Sequence, residues 1–389
     1  MPSDETHGDL GLSGESITVT YHIHQPREDA ARVAHDICIE QTVEFPEDLI
    51  YDERIRSLFG RVRSLRRVEA ETCEAVIEFP AEVAGGELTQ LVNVLFGNIS
   101  LHPGIWLRRF ELPDSLLRAF PGPRFGRAGI RRVLDVPRGP LLASAVKPMG
   151  LSPRELGEQA FQLALGGMDV IKDDHGLADQ RFCPFEERVR RCVDGVSRAV
   201  ALTGRRCLFF PNVTAPSDRI VDRARFARDA GAGGLVISPG LTGIDAVRRL
   251  AADDSLSLPL LAHPAWQGSF VVGAPRSGMS HGAIFGQLAR LAGADAVIFP
   301  GHGGRFSFSL DECRDLIDGT GCVMGTLAPI FPVPAGGMTL ERVPELLALH
   351  GSDVVLLIGG ALHRHPGGLV EGCREVAELV RERRAPHRS

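Results

Sequence analysis

The sequence predicts an α/β protein: a carboxy-terminal (β/α)8 TIM barrel preceded by an amino-terminal ferredoxin-like α+β domain. Three observations carry this. From residue 140 onward, eight short apolar runs alternate with stretches of helical period, the signature of parallel βα units covered on both faces. Before residue 120 the order reads βαββαβ, a split βαβ sandwich. Between the two lies FPGPRFGRAG (120–129), whose prolines and glycines mark a natural domain boundary.

In the first domain, Ile17, Val19, Tyr21 and Ile23 alternate as a half-buried strand does, and DAARVAHDICIEQT (29–42) follows with helical spacing. Residues 61–79 supply two strands around a turn, GGELTQLVNVLFGN (85–98) reads as a helix and residues 105–112 as a closing strand. The barrel strands are LLASAV (141–146), MDVIK (168–172), CLFF (207–210), GLVIS (234–238), PLLAH (259–263), AVIFP (296–300), IFPV (330–333) and VVLLIG (354–359). SPRELGEQAFQLAL, DRARFARDAG and GAIFGQLARLAG fit as helices between them. The expected division is a disordered tail over 1–15, the α+β domain over 16–125 and the barrel over 130–380.

Composition narrows the class. At 389 residues the chain has room for two to three domains of about 150 residues each. A balance of 43 Lys+Arg against 49 Asp+Glu leaves −6, with no basic stripe for a nucleic-acid backbone. Eight cysteines without a C-x-x-C pair read as reduced thiols. No apolar run approaches the ~20 residues of a membrane span, and MPSDETHGDLGLSGES lacks the cationic and apolar segments of a secretory leader. A cytoplasmic protein with no membrane partner is expected. The terminal RERRAPHRS reads as a frayed, solvated tail.

Barrels of this kind place their chemistry at the C-terminal ends of the strands. That rule selects Lys147, Lys172-Asp173-Asp174-His175, Asn212, His263 and Gly301-His302-Gly303-Gly304-Arg305. The glycine pairs Gly336-Gly337 and Gly359-Gly360, after strands 7 and 8, are the usual phosphate cradle, so a phosphorylated substrate is expected. Residues two apart on a strand share a face, so Lys172 and Asp174 converge and His175 can join them. The cluster reads either as an ordinary ion pair or as a metal site, the latter only if Lys172 becomes an anion such as a carbamate. Lys147 reads as a base poised beside a carbonyl or as a strand cap paired with Asp169 or Asp173. His263 reads as a site residue or a hydrogen-bonded core histidine, and His302 as a lid residue or a solvated one.

These residues resemble a known family. LLASAVKPMGLSPRELGEQAFQLALGGMDVIKDDH is similar to the RuBisCO large-subunit pattern in which KPK-x-GLS precedes GG-x-D-x-x-KDDE. The resemblance continues through FFPNVTA, HPAWQG, SHGAIFGQLARLAGAD, PAGGM and LLIGGALHRHP, across the whole barrel. It implies that Lys147 is the enolising base, Lys172 the lysine carbamylated by CO2, Asp174 a magnesium ligand and His263 the histidine after strand 5. It implies phosphate donors at Gly337, Gly359 and Gly360. In the first domain Asn98 and Glu40 resemble active-site residues lent to the neighbouring subunit of a homodimer.

The departures from the pattern imply a RuBisCO-like protein of the form IV group that does not fix CO2. The second lysine of KPK is Met149, the metal-binding glutamate is His175 and the arginine after the strand-5 histidine is Pro264. The second-phosphate histidine appears as Phe299 and the serine before the strand-7 glycines as Ala335, which implies a substrate with one phosphate. Mg²⁺ is the expected metal, and His175 brings Mn²⁺ into range as a softer alternative. GGRFSFS (303–309) and HPAWQG favour a decarboxylase of 3-oxo-isoapionate 4-phosphate, with Arg305 on the substrate carboxylate. The alternatives are a transcarboxylase/hydrolase of that compound, an enolase or isomerase of a methylthiopentulose phosphate with Phe299, Met149 or Trp266 as pocket or core, and a non-catalytic regulatory homologue.

Overall fold

The computed structural model describes residues 10–272, 276–304, 306 and 308–384. Its strands in chain order are β1 (Ser16–Ile23), β2 (Arg61–Glu69), β3 (Thr72–Pro80), β4 (Ile105–Glu111), β5 (Leu141–Val146), β6 (Val170–Asp173), β7 (Leu208–Phe210), β8 (Leu235–Ile237), β9 (Leu260–Ala262), β10 (Gly278–Met279), β11 (Ala296–Pro300), β12 (Phe331–Ala335) and β13 (Val355–Leu357). The chain forms two compact units. One comprises the residues up to Phe120 with Gly268–Ala283, the other Pro121–Gln267 with the residues from Ile284 onward.

The first unit is the expected α+β sandwich. Its sheet runs β10-β4-β1-β3-β2, with β3 antiparallel to both β1 and β2, as a split βαβ requires. Ile17, Val19, Tyr21 and Ile23 are fully buried, facing helix Arg27–Glu40, which buries Ala30, Val33, Ala34, Ile37 and Cys38. The Tyr21 hydroxyl, inside this core, donates to the Leu95 carbonyl at 2.6 Å, so its buried polar end is paired. Ser13 donates its amide to Glu82 (2.7 Å), so the chain is already tied down before β1 begins. The segment Gly268–Ala283, numbered with the barrel, adds β10 parallel to β4, and its Ser277 Oγ accepts from the Gly104 amide at 2.6 Å.

The second unit is the (β/α)8 barrel. Its strands form two parallel four-stranded sheets, β13-β5-β6-β7 and β12-β11-β9-β8, joined where Val213 N donates to Val236 O and Val236 N to Pro211 O. All eight strands send side chains into one interior cluster: Leu141, Ala143, Val170, Phe210, Val236, Leu261, Ala296, Ile298, Phe331, Val333, Val355 and Leu357. At about 1.5–3 kcal/mol per fully buried aliphatic or aromatic side chain, this layer makes the interior a packed core and not a pore. The alternate residues, among them Leu142, Val146, Ile171, Leu356 and Ile358, pack outward against the helices.

Two expectations are corrected here. The RERR part of the expected RERRAPHRS tail is not frayed: helix Leu369–Arg384 runs through it, and Arg384 grips the buried Asp169 carboxylate through both terminal nitrogens, at 3.2 and 2.5 Å, while 385–389 lie outside the described residues. The stretch GAIFGQLARLAG is not a regular α-helix but a π-helical segment, Gly282–Leu288, followed by one α-turn, Ala289–Leu291. Gly286 faces the backbone of Gly319 there, so closely that a Cβ would lie 2.3 Å from it.

Candidate active site

The alternation of the barrel strands decides what reaches the mouth. On β5, Leu141, Ala143 and Ala145 point inward, and Lys147 is the next residue of that set. On β6, Val170 points inward, followed by Lys172 and Asp174; the register pairs Ala145 with Lys172. Asp173 takes the opposite face. It accepts from Arg188 Nε (3.1 Å) and from the Asn212 amide (3.0 Å), and both side chains of the ion pair are completely buried. The four residues of the KDDH run therefore divide into an inward set and a structural anchor.

Lys172 is 3% exposed, and burial pulls its amine down to about 8 despite the opposing charges of Asp174 and Asp173; Lys147 adds to the lowering. Its Nζ donates to the Asp173 carbonyl at 2.7 Å. His175 Nδ1 lies 3.5 Å from Asp174 Oδ1, and Asp174 Oδ1 also accepts from the Gly176 amide at 3.1 Å. Asn212 Nδ2 donates to the carbonyls of His175 (3.0 Å) and Leu177 (3.1 Å), fixing the loop that carries both. The rings of His175 and His263 stack at 4.3 Å with 14° between planes. His263 Nδ1 accepts from the Ala265 amide at 3.2 Å, which leaves the proton on Nε2. Burial, then the charges of Lys172 and His175, hold His263 neutral, down to about 2.

Lys147 lies in the same mouth. A Cβ on Gly359 would meet its Cε and Nζ, each at 3.1 Å. Its charge also helps to lower the proton affinity of Lys172, His175 and His363, in each case after the effect of burial. Its backbone is held by the Gln159 side chain, whose Oε1 accepts from Lys147 N and whose Nε2 donates to Lys147 O, both at 2.7 Å. Gly336 and Gly337 adopt left-handed φ of 85° and 75°, and a Cβ at Gly336 or Gly360 would meet open space, whereas Gly359 faces the Lys147 side chain.

Other expected residues fall elsewhere. His302 is half-buried, with its Nδ1 within 3.2 Å of the Phe308 carbonyl and its own carbonyl accepting from Arg342 Nη2 at 2.7 Å. Arg305 lies outside the described residues. Of the two readings of Phe299, pocket or core, the structure selects core: fully buried, it turns edge-on to His350 (centroids 5.8 Å). Met149 and Trp266 are 49% and 71% exposed. Asn98 and Glu40 meet within the first unit, Asn98 Nδ2 donating to Glu40 Oε1 at 3.0 Å and to Glu44 Oε1 at 3.1 Å.

Among the described residues no three side chains of His, Cys, Asp or Glu group as a metal site. Asp174 and His175 could supply two ligands, and a carbamate on the buried Lys172, its amine lowered to about 8, would supply a third. The residues fit a divalent cation on that condition.

A plainer signal lay in the composition. Lys147 and Lys172 are the only lysines in 389 residues; the other 41 of the 43 basic residues are arginines. Arginine stays protonated in proteins, so it can neither take a proton as a base nor carry CO2. Both lysines stand in this one mouth. Gln159, which the sequence reading did not select, carries no such mark, since its partners are backbone atoms brought near only by the fold.

Comparison with known proteins agrees with this geometry. A model of the ribulose bisphosphate carboxylase large chain, catalytic domain, matches residues 126–307. The chain is 40% identical over 350 residues to ribulose bisphosphate carboxylase-like protein 1 of Rhodopseudomonas palustris, covering 90% of this chain and 93% of that one. It is 37% identical to the 5-methylthioribulose-1-phosphate isomerase of Rhodospirillum rubrum (90% and 91% covered). It is 33% identical to the 2,3-diketo-5-methylthiopentyl-1-phosphate enolase of Bacillus licheniformis (94% and 91% covered). The crystal structure of a Rubisco-like protein from Rhodopseudomonas palustris superposes with a TM-score of 0.85 at 39% identity, covering 95% of this chain and 98% of that one. The chain thus belongs to the RuBisCO large-chain family, among its RuBisCO-like proteins.

Proposed function

We propose that this enzyme moves a proton next to the carbonyl of a monophosphorylated, methylthio-bearing pentulose, by enolisation or isomerisation and without fixing CO2. The observation that carries the reading is Lys147, held against Gly359 beside Lys172, Asp174 and His175. Lys147 Nζ takes the proton from the carbon next to the carbonyl and returns it to the same or the neighbouring carbon. The amides of Gly336, Gly337, Gly359 and Gly360 hold the phosphate and so fix which carbon faces the amine. Neutral His263 donates from Nε2 to a substrate oxygen, its tautomer set by the Ala265 amide. A divalent ion, Mg²⁺ or Mn²⁺, held by carbamylated Lys172, Asp174 and His175 would polarise the carbonyl and stabilise the negative charge of the enediolate. Asn98, paired with Glu40, would complete the site of a partner subunit in a homodimer.

The methylthio substrate is supported by the names of the isomerase and the enolase that the chain resembles. Decarboxylation of a 3-oxo sugar acid phosphate, which two sequence segments favoured, gains no comparable support from the named relatives, and Arg305, its expected carboxylate partner, lies outside the described residues. The test is NMR in D2O with Mg²⁺ and bicarbonate, offering 5-methylthioribulose-1-phosphate, 2,3-diketo-5-methylthiopentyl-1-phosphate and 3-oxo-isoapionate 4-phosphate separately. Deuterium uptake into either methylthio compound without loss of CO2 is expected. CO2 release from the third compound, with no exchange in the first two, would overturn the proposal.

A further inference from the structure

Lys147 is the first residue beyond β5. The pairing of β5 with β6 ends at Val146 and Asp173, so the ladder no longer fixes the backbone from which the Lys147 side chain departs. A single side chain takes over that role. Gln159 bonds both backbone groups of Lys147, accepting from the amide and donating to the carbonyl at 2.7 Å each, as a neighbouring strand residue would. Its own position is firm. Helix Pro153–Gly166 opens with a capping box, in which Ser152 N donates to Glu155 Oε2 (2.8 Å) and Glu155 N to Ser152 Oγ (3.3 Å). Four residues on, Gln159 stands one turn along the same face.

We propose that Gln159 is a positioning residue for the base: its amide sets the direction in which the Lys147 side chain leaves β5, and therefore where Nζ meets the substrate. This rests on the reading of Lys147 as the base. The bonds of Gln159 go to the backbone of Lys147 and not to its amine, so its loss acts on the chemical step and not on substrate binding. Gln159→Met keeps the bulk and removes both bonds. Gln159→Glu keeps the acceptor for Lys147 N but turns a carboxylate oxygen toward Lys147 O. The expected order of turnover is wild type, then Gln159→Glu, then Gln159→Met.

The experiment uses the full chain with Mg²⁺ and bicarbonate, measuring kcat and KM for deuterium exchange in the methylthio compounds, with melting temperature as the folding control. Gln159→Met is expected to lower kcat at least tenfold, leaving KM within about twofold. Gln162→Met, on the same helix and without a bond to Lys147, keeps wild-type kcat. A second readout needs no substrate. Reductive methylation with ¹³C-formaldehyde labels only two lysines and the chain's amino terminus. The Lys147 methyl resonance is expected to shift or broaden in Gln159→Met while the Lys172 resonance stays in place. Wild-type kcat and an unmoved Lys147 resonance in Gln159→Met would overturn the proposal, as would a loss of kcat matched by the loss of folded protein. Exchange that survives Lys147→Met would instead overturn the reading of Lys147 as the base.

Discussion

Gly359 leaves the space that the Lys147 amine occupies: a methyl group at Gly359 would lie 3.1 Å from both Cε and Nζ. Glycine at 359 supplies that clearance, at a backbone conformation of φ −124° and ψ −88°. Gly359→Ala is therefore expected to lose about tenfold or more in kcat for deuterium exchange, beyond any loss of folded protein. Steady-state kinetics beside a thermal melt check this, and equal kcat would show that the amine has room to spare.

The Asp173–Arg188 pair holds the strand between the two inward residues of the KDDH run, with both side chains fully buried. Breaking such a pair strands a charge, at a cost of about 3–5 kcal/mol. Arg188→Met is expected to lower stability by that order in urea unfolding. Asp173→Asn with Arg188→Met should recover part of the loss, because no buried charge is left alone.

Lys172 can bind CO2 only as a free amine. With its amine lowered to about 8, the reactive fraction rises as pH climbs through that value. Activation by bicarbonate and Mg²⁺ should therefore strengthen between pH 7 and 9, and ¹³C-bicarbonate should give a single carbamate resonance that Lys172→Arg removes. With only one other lysine in the chain, the assignment needs two controls, Lys147→Arg and a blocked amino terminus.

His350 is buried against Phe299 with neither ring nitrogen bonded, and burial lowers its proton affinity to about 4. The folded value lies below the unfolded one, near 6.5. Stability from this group is thus complete above about pH 6.5 and lost as pH falls toward 4, by about 2–3 kcal/mol at most. His350→Leu should flatten the fall in melting temperature between pH 7.5 and 5; an identical fall in both proteins would remove His350 from the account.

Much of this was legible in the residues. Each of the eight apolar runs became a barrel strand because strands buried on both faces leave continuous hydrophobic stretches, and Ile17-Val19-Tyr21-Ile23 alternated because one face of its sheet is covered by helices. The convergence of Lys172 and Asp174 followed from strand alternation alone. What stayed hidden depends on distant backbone. The pairing of Gly278–Met279 with β4 joins segments more than 160 residues apart and leaves no periodic trace in two residues. Gln159 looks like any helical glutamine until the carbonyl of Lys147 is placed beside it. Phe299 stayed open between pocket and core in the sequence, and only the strand's facing shows it turned toward His350.

The central claim is that Lys147 carries the proton. The most direct measurement is deuterium incorporation by NMR into 5-methylthioribulose-1-phosphate and 2,3-diketo-5-methylthiopentyl-1-phosphate, comparing wild type with Lys147→Met under Mg²⁺ and bicarbonate. The account predicts exchange by the wild type and a loss of about 10²–10⁴-fold in the variant, with the melting temperature unchanged. Exchange at the wild-type rate in Lys147→Met would contradict it.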